Sequence, residues 1–116
     1  DTALAEGLTF LAPFVAKSED EQVQSFVSKY EAAYSETPNQ FAADAYDCVY
    51  VVKAAIEAAG ATPDMSVSDL CDAMKEAMAS VSYSGITGKD ITWGEDGEPN
   101  KAPLEVKVVD GEYTEL

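Results

Sequence analysis

Histidine is absent from the 116 residues, and basic residues are scarce, seven Lys and Arg against twenty-two Asp and Glu. The missing imidazole removes the commonest general base and the commonest metal ligand, which argues against triad hydrolysis and zinc chemistry. At a net charge of −15 the surface repels phosphate backbones and anionic headgroups, so neither nucleic acid nor an anionic membrane is an expected partner. The two cysteines, Cys48 and Cys71, are too few for a four-ligand structural zinc site. Placed on consecutive antiparallel helices they are offset by roughly 12 Å along the axes, beyond the ~7 Å Cα separation a disulfide tolerates, so two buried thiols are expected. Long apolar runs are missing as well, none approaching the roughly 20 residues of a membrane-spanning helix. The chain opens on Asp1 without a basic or apolar leader, so any signal peptide is expected to have been removed or to lie upstream.

What remains is one domain's worth of polypeptide, 47% apolar, with enough apolar residues for a core. Residues 7–14 read as a short buried strand closed by Pro13. Ser18, Glu19, Asp20 and Glu21 form a capping-box pattern with Ser18 as the cap. Val23, Phe26, Val27, Tyr30, Ala33 and Tyr34 then recur at helical spacing, predicting a helix over about 19–35. Pro38 breaks it, and Gln40 and Phe41 are read as a minimal strand. Residues 42–59 are apolar on nearly every side, predicting a helix buried over most of its circumference and ended by Gly60. Ser66 or Ser68 caps a third helix whose face carries Val67, Leu70, Cys71, Met74, Met78 and Val81. Residues 83–88 read as loop, 91–93 as a short strand, 94–97 as a turn, and 104–109 as a strand with Leu104, Val106 and Val108 on one side. The last two strands are expected to form a small hairpin or crossover pair.

The order of these pieces carries more than any one of them. Gly7-Leu-Thr-Phe, a capped helix ending in Tyr30 and Tyr34, and Pro38-Asn-Gln-Phe41 come first. Ala45-Tyr-Asp47 then opens an apolar helix closed by Ala58-Ala-Gly60, and Gly85-Ile-Thr-Gly88, Ile91-Thr-Trp93, Gly97 and Asp110-Gly111 follow. The ordered set resembles the C-terminal part of the branched-chain amino acid (leucine/isoleucine/valine) binding proteins, extracytoplasmic solute receptors of ABC transporters with the type I periplasmic-binding fold.

The resemblance implies an α/β fold, the C-terminal part of a lobe with three helices and short strands. It implies a single incomplete domain, with 1–14 a strand leaving lobe two, 15–88 the helical part of lobe one and 89–116 closing strands near the hinge. It further implies a fragment of an amino-acid receptor, periplasmic or a cell-surface lipoprotein, serving an ABC permease, with no enzymatic step, cofactor or metal. Most of the cleft would lie upstream of Asp1. Alternative readings are a sensory ectodomain, a small hydrolase or a self-contained interaction module.

One cleft wall falls within these residues, since ligands of open α/β lobes sit where strand passes to helix. Phe41 matches a family position that lends an apolar face to the bound side chain, the competing reading being that it staples the start of the helix. Asp44 and Asp47 either reach the cleft rim or complement the dipole of a first helical turn. Tyr46 either presents its hydroxyl to the cleft or packs on the sheet. Other patterns fail: Asp44 and Asp47 at i, i+3 do not flank a sugar, the loop around Gly97 lacks calcium ligands, and residues 85–88 lack the Lys-Ser/Thr of a phosphate loop. Trp93 reads as core. If the chain is a remnant, apolar faces are left bare and self-association is expected.

Overall fold

The structure, a computed structural model, describes residues 2–116, with side chains from Leu4 onward. A 3-10 turn at Thr2–Ala5 leads into β1 (Thr9–Ala12), followed by three helices, α1 (Glu21–Tyr34), α2 (Gln40–Ala58) and α3 (Val67–Met78). Five strands complete the chain: β2 (Ser82–Tyr83), β3 (Ile91–Trp93), β4 (Pro99–Asn100), β5 (Leu104–Val109) and β6 (Glu112–Glu115). The strands form two antiparallel sheets, ordered β1-β5-β6 and β2-β3-β4. The fold is therefore α/β with three helices and short strands, as the pattern of elements predicts. The strand expected at 91–93 and the one at 104–109 lie in different sheets rather than pairing. Each belongs to its own hairpin, β3–β4 and β5–β6.

Local chemistry explains the boundaries. Asp20, not Ser18, caps α1, its carboxylate accepting from the amides of Gln22 and Val23 at 2.8 and 3.1 Å. A carboxylate is the stronger acceptor at a positive helix end, which displaces Ser18 into the preceding turn. There the Ser18 carbonyl accepts from the side-chain amide (Nε2) of Gln24 at 2.5 Å. Asn39 caps α2 through the amide of Ala42, so Gln40 and Phe41 are its first turn and not a strand. Ser66 caps α3 and Gly60 takes a φ of +59° after α2. β5 runs into β6 through Asp110 and Gly111, both at positive φ, the geometry of a tight hairpin turn, and the Glu6 carboxylate accepts from both turn amides.

Two small cores result. One gathers Phe14, Val23, Phe26, Val27, Ala43 and Ile86; the other gathers Ala12, Val15 and Val106 between β1 and β5. The burial expected for α2 does not appear. Only Ala43, Asp47 and Ala55 of this helix are buried, while Val49 is 68% exposed and Val52 and Ile56 are also exposed. α3 has no buried residue, and Val67 and Cys71 of its expected apolar face are exposed. Both thiols are free and exposed, against the expectation of burial. Trp93 is half-buried rather than core. The radius of gyration is 17.3 Å. A compact domain of this length has about 13 Å.

Candidate functional site

A buried, fully hydrogen-bonded polar cluster lies where α2 meets the 83–88 loop. Asp47 is 4% exposed and its carboxylate accepts four hydrogen bonds. Oδ1 takes the Tyr83 hydroxyl at 2.9 Å and the Ile86 amide at 3.2 Å; Oδ2 takes the Thr87 amide at 2.8 Å and the Thr87 hydroxyl at 2.7 Å. Among the described residues no buried side-chain polar atom lacks a partner, which is the condition for burying a carboxylate at acceptable cost. Asp47 sits two turns into α2 and faces inward, so both readings from sequence, cleft rim and first-turn dipole, give way to a third. It is a clasp that fixes the loop to the helix.

Gly85 is part of the same device. A Cβ at that position would lie 2.3 Å from Asp47 Oδ1 and 2.4 Å from Tyr83 Cε1, so only glycine lets the loop approach this closely. Burial, together with the hydrogen bond to Asp47, holds the Tyr83 phenol well above its ordinary titration range.

The residues singled out from sequence separate into two places. Phe41 and Asp44, three apart on α2, share one helix face at its N-terminal end. Phe41 is 75% exposed, which excludes its use as a core staple within the described residues. Asp44 lies in the second turn, half-exposed, with Oδ1 3.7 Å from Lys101 Nζ. Tyr46 points elsewhere, toward α1. Its ring rests on Phe26 with centroids 4.8 Å apart and on Tyr50 at 4.9 Å, so it packs on a helix rather than on a sheet. Its hydroxyl bonds that of Tyr50 at 3.3 Å, and this bond raises the Tyr46 titration point.

Beside these rings an open cavity of about 440 Å³ runs between α1 and α2, walled by Tyr46, Tyr50, Tyr83, Glu21, Gln22 and Ser25. Lys89, adjacent to it, is held by Asp20 at 2.9 Å, by Gln22 Oε1 and by the Gly85 carbonyl, and lines a different cavity of about 250 Å³. Its hydrogen bond to Asp20 is the largest reason that carboxyl titrates below its ordinary value. Sequence reasoning missed Tyr50, Tyr83 and the clasp. The i, i+4 spacing of Tyr46 and Tyr50 is a signal for the first of these, whereas the Asp47 partners lie 36 to 40 positions away and leave no local trace.

A family model described as a periplasmic binding protein matches residues 2–112. The chain belongs to that family. Among solved structures it resembles a putative branched-chain amino acid ABC transporter protein from Rhodospirillum rubrum at 31% identity, covering 97% of this chain and 31% of that one, with a TM-score of 0.74. The leucine binding protein LivK of Thermotoga maritima is 25% identical over 97% of this chain and 30% of its own, with a TM-score of 0.70. A solute binding protein of an ABC transporter from R. palustris, solved with benzoate, shares the fold at 21% identity, with a TM-score of 0.72, over 97% of this chain and 29% of its own. No individually curated protein matches. The chain thus spans about a third of the length of the periplasmic binding proteins it resembles. Within this family's scaffold, β1 and β5 form one antiparallel ribbon leading into and out of the helical unit, and Phe41 stands at the free N-terminal end of α2.

Proposed function

We propose that this chain is the C-terminal portion of an extracytoplasmic receptor that captures a small amino acid and hands it to an ABC permease, without chemical transformation. The observation that carries the reading is Phe41, a large aromatic ring left 75% exposed at the start of α2 while its neighbour Ala43 is fully buried. An exposed ring at a helix entry, beside an acid and a lysine that partly neutralise each other, suits an apolar ligand side chain that is desolvated when a second wall closes over it. Asp44 orients polar ligand groups at the rim. Tyr46 serves from behind, bracing α2 against α1. The charged ends of the ligand are bound by polypeptide beyond these residues, so the chain alone binds amino acids negligibly.

The extended shape and the uncovered stripe of Val49, Val52 and Ile56 support the view that α2 was shaped to meet further chain. Isothermal titration of leucine, valine and benzoate into the natural full-length polypeptide tests the proposal. Saturable binding of an aliphatic amino acid that weakens at least tenfold in Phe41→Ala supports it, a loss of the size expected when an apolar wall is removed. Binding that is indifferent to Phe41, or micromolar binding by the isolated chain, refutes it.

A further inference from the structure

We propose that the cavity between α1, α2 and the 83–86 loop is a second binding site, which takes the primary ammonium group of a small amine carried on a short apolar stem. The proposal stands on what the walls offer. Three aromatic rings, Tyr46, Tyr50 and Tyr83, come from two separate elements and surround about 440 Å³ of space. Most hydrogen-bond donors of that wall are already committed. The Gly85 amide is given to the Gly88 carbonyl, the Ile86 amide to Asp47, the Tyr83 hydroxyl to Asp47, and one proton of the Tyr46–Tyr50 pair lies between their oxygens. What remains toward the cavity is chiefly acceptor: phenol oxygens and the Glu21 carboxylate, with the Gln22 amide nitrogen and the Ser25 hydroxyl at the edge.

A wall of acceptors and aromatic faces selects a ligand that donates hydrogen bonds and carries positive charge. No lysine lines the cavity, and the adjacent Lys89 is neutralised by Asp20. A carboxylate would meet only neutral donors there, Gln22, Ser25 and the second phenol proton of the Tyr46–Tyr50 pair, beside the Glu21 carboxylate, so the site disfavours the zwitterionic amino acids assigned to the Phe41 end of α2. Phe41 and Asp44 do not line it. The clasp has a part here as well, because the Tyr83 hydroxyl donates to Asp47, which leaves only its oxygen lone pairs, as an acceptor, for the cavity.

The test is calorimetric titration of n-butylammonium chloride, and separately of sodium butyrate, into the natural full-length polypeptide with and without saturating leucine. Saturable heat with n-butylammonium, none with butyrate, persistence in leucine, and a loss of roughly tenfold in affinity in Glu21→Gln are the expected results. A melting curve for Glu21→Gln that overlays the parent's shows that the fold is intact, and Tyr50→Phe, which keeps the ring and removes one acceptor, is expected to weaken binding in the same direction. Absence of saturable heat, equal binding of butyrate, or indifference to both substitutions overturns the proposal. Abolition of the heat by leucine overturns it too, by placing the amine in the amino-acid cleft. The leucine titration stands independently, so failure here leaves the receptor reading untouched and failure there leaves this site untouched.

Discussion

Replacing Asp47 by Ala removes the acceptor for four donors at once, and the cost can be worked group by group. The Tyr83 hydroxyl is half-buried and regains a water. The Thr87 hydroxyl rotates to another acceptor. The Ile86 and Thr87 amides are fixed by the backbone of a buried loop and cannot follow. An unsatisfied buried amide costs about 1–3 kcal/mol, so two give roughly 2–6, which water entering the vacated space brings down to about 3 kcal/mol. Asp47→Asn does not rescue the loop: whichever way the amide turns, its NH₂ faces one pair of donors, and about 2 kcal/mol is lost.

Gly85→Ala supplies the cross-check. Its Cβ collides with Asp47 Oδ1 and Tyr83 Cε1, and overpacking of this kind costs about 1–3 kcal/mol. In the Asp47→Ala background one of the two obstructing groups is gone, so the double variant is less destabilised than the sum by about 1 kcal/mol. Equilibrium urea unfolding of the full-length polypeptide and its variants measures all of these quantities. Trp93, half-buried on β3 next to the loop, reports on the region by fluorescence. A loss below ~1 kcal/mol for Asp47→Ala, a silent Asp47→Asn, or strict additivity with Gly85→Ala would refute the clasp, since a solvated surface acid gives those results.

Other consequences follow from the same geometry. Asp20 titrates below its ordinary 3.8, so the stability it contributes is complete above that value and is lost as pH falls through its lower folded value; Asp20→Asn flattens the acid limb of a stability–pH curve, and added salt does the same to the parent. Tyr83 is shifted the other way. Its contribution is complete below pH 10 and declines above it, so Tyr83→Phe removes the last step from an ultraviolet titration of the tyrosines, and a parent whose six tyrosines titrate together contradicts this. Asn39→Ala deletes the cap of α2 and lowers stability by about 1 kcal/mol in thermal unfolding, while Asn39→Asp is neutral or better. The exposed stripe of Val49, Val52 and Ile56 leads us to expect that the isolated chain self-associates and that Val49→Asp or Val52→Lys returns it to monomer in sedimentation velocity; a parent chain already monomeric at high concentration rules this out.

The elements that local chemistry decides were legible in the sequence. Helical spacing in α1, Ser66 before α3, Gly60 after α2 and the alternation of Leu104, Val106 and Val108 all act within a few residues, and each element appears where the pattern puts it. Misreadings arise where two local signals compete or where a distant partner decides. Ser18 and Asp20 both offered caps, and the stronger acceptor prevailed. Gln40 and Phe41 follow a proline, which reads as extended chain until the Asn39 cap is recognised. The Asp110-Gly111 turn was in view as the end of a strand, and its two positive φ values extend the chain into β6. Apolar composition predicted burial for α2, but composition states only what a face prefers, and burial needs something to cover it. Of the candidate site, Phe41 is singled out by the family resemblance and Asp44 by its place near the start of the apolar helix, and the structure puts both on one face of α2. Asp47 reads by its place on α2, whereas its role is set by Tyr83, Ile86 and Thr87, 36 to 40 positions further along the chain.

The ribbon of β1 and β5 has one more implication. Ala12 pairs with Leu104, so everything from Pro13 to Pro103 departs and returns through a single gate two strands wide. Such a module can be excised and transplanted: joined at those two strands, the helical unit of one family member should graft onto the stem of another once the ribbon's side chains, Phe10, Ala12, Leu104 and Val106, and the unit's contacts back to the stem, Val15 on Val106 and Lys17 on Glu112, are matched. The same closure makes assembly late in folding, because the gate cannot shut until the whole intervening stretch has been synthesised and its ends have met.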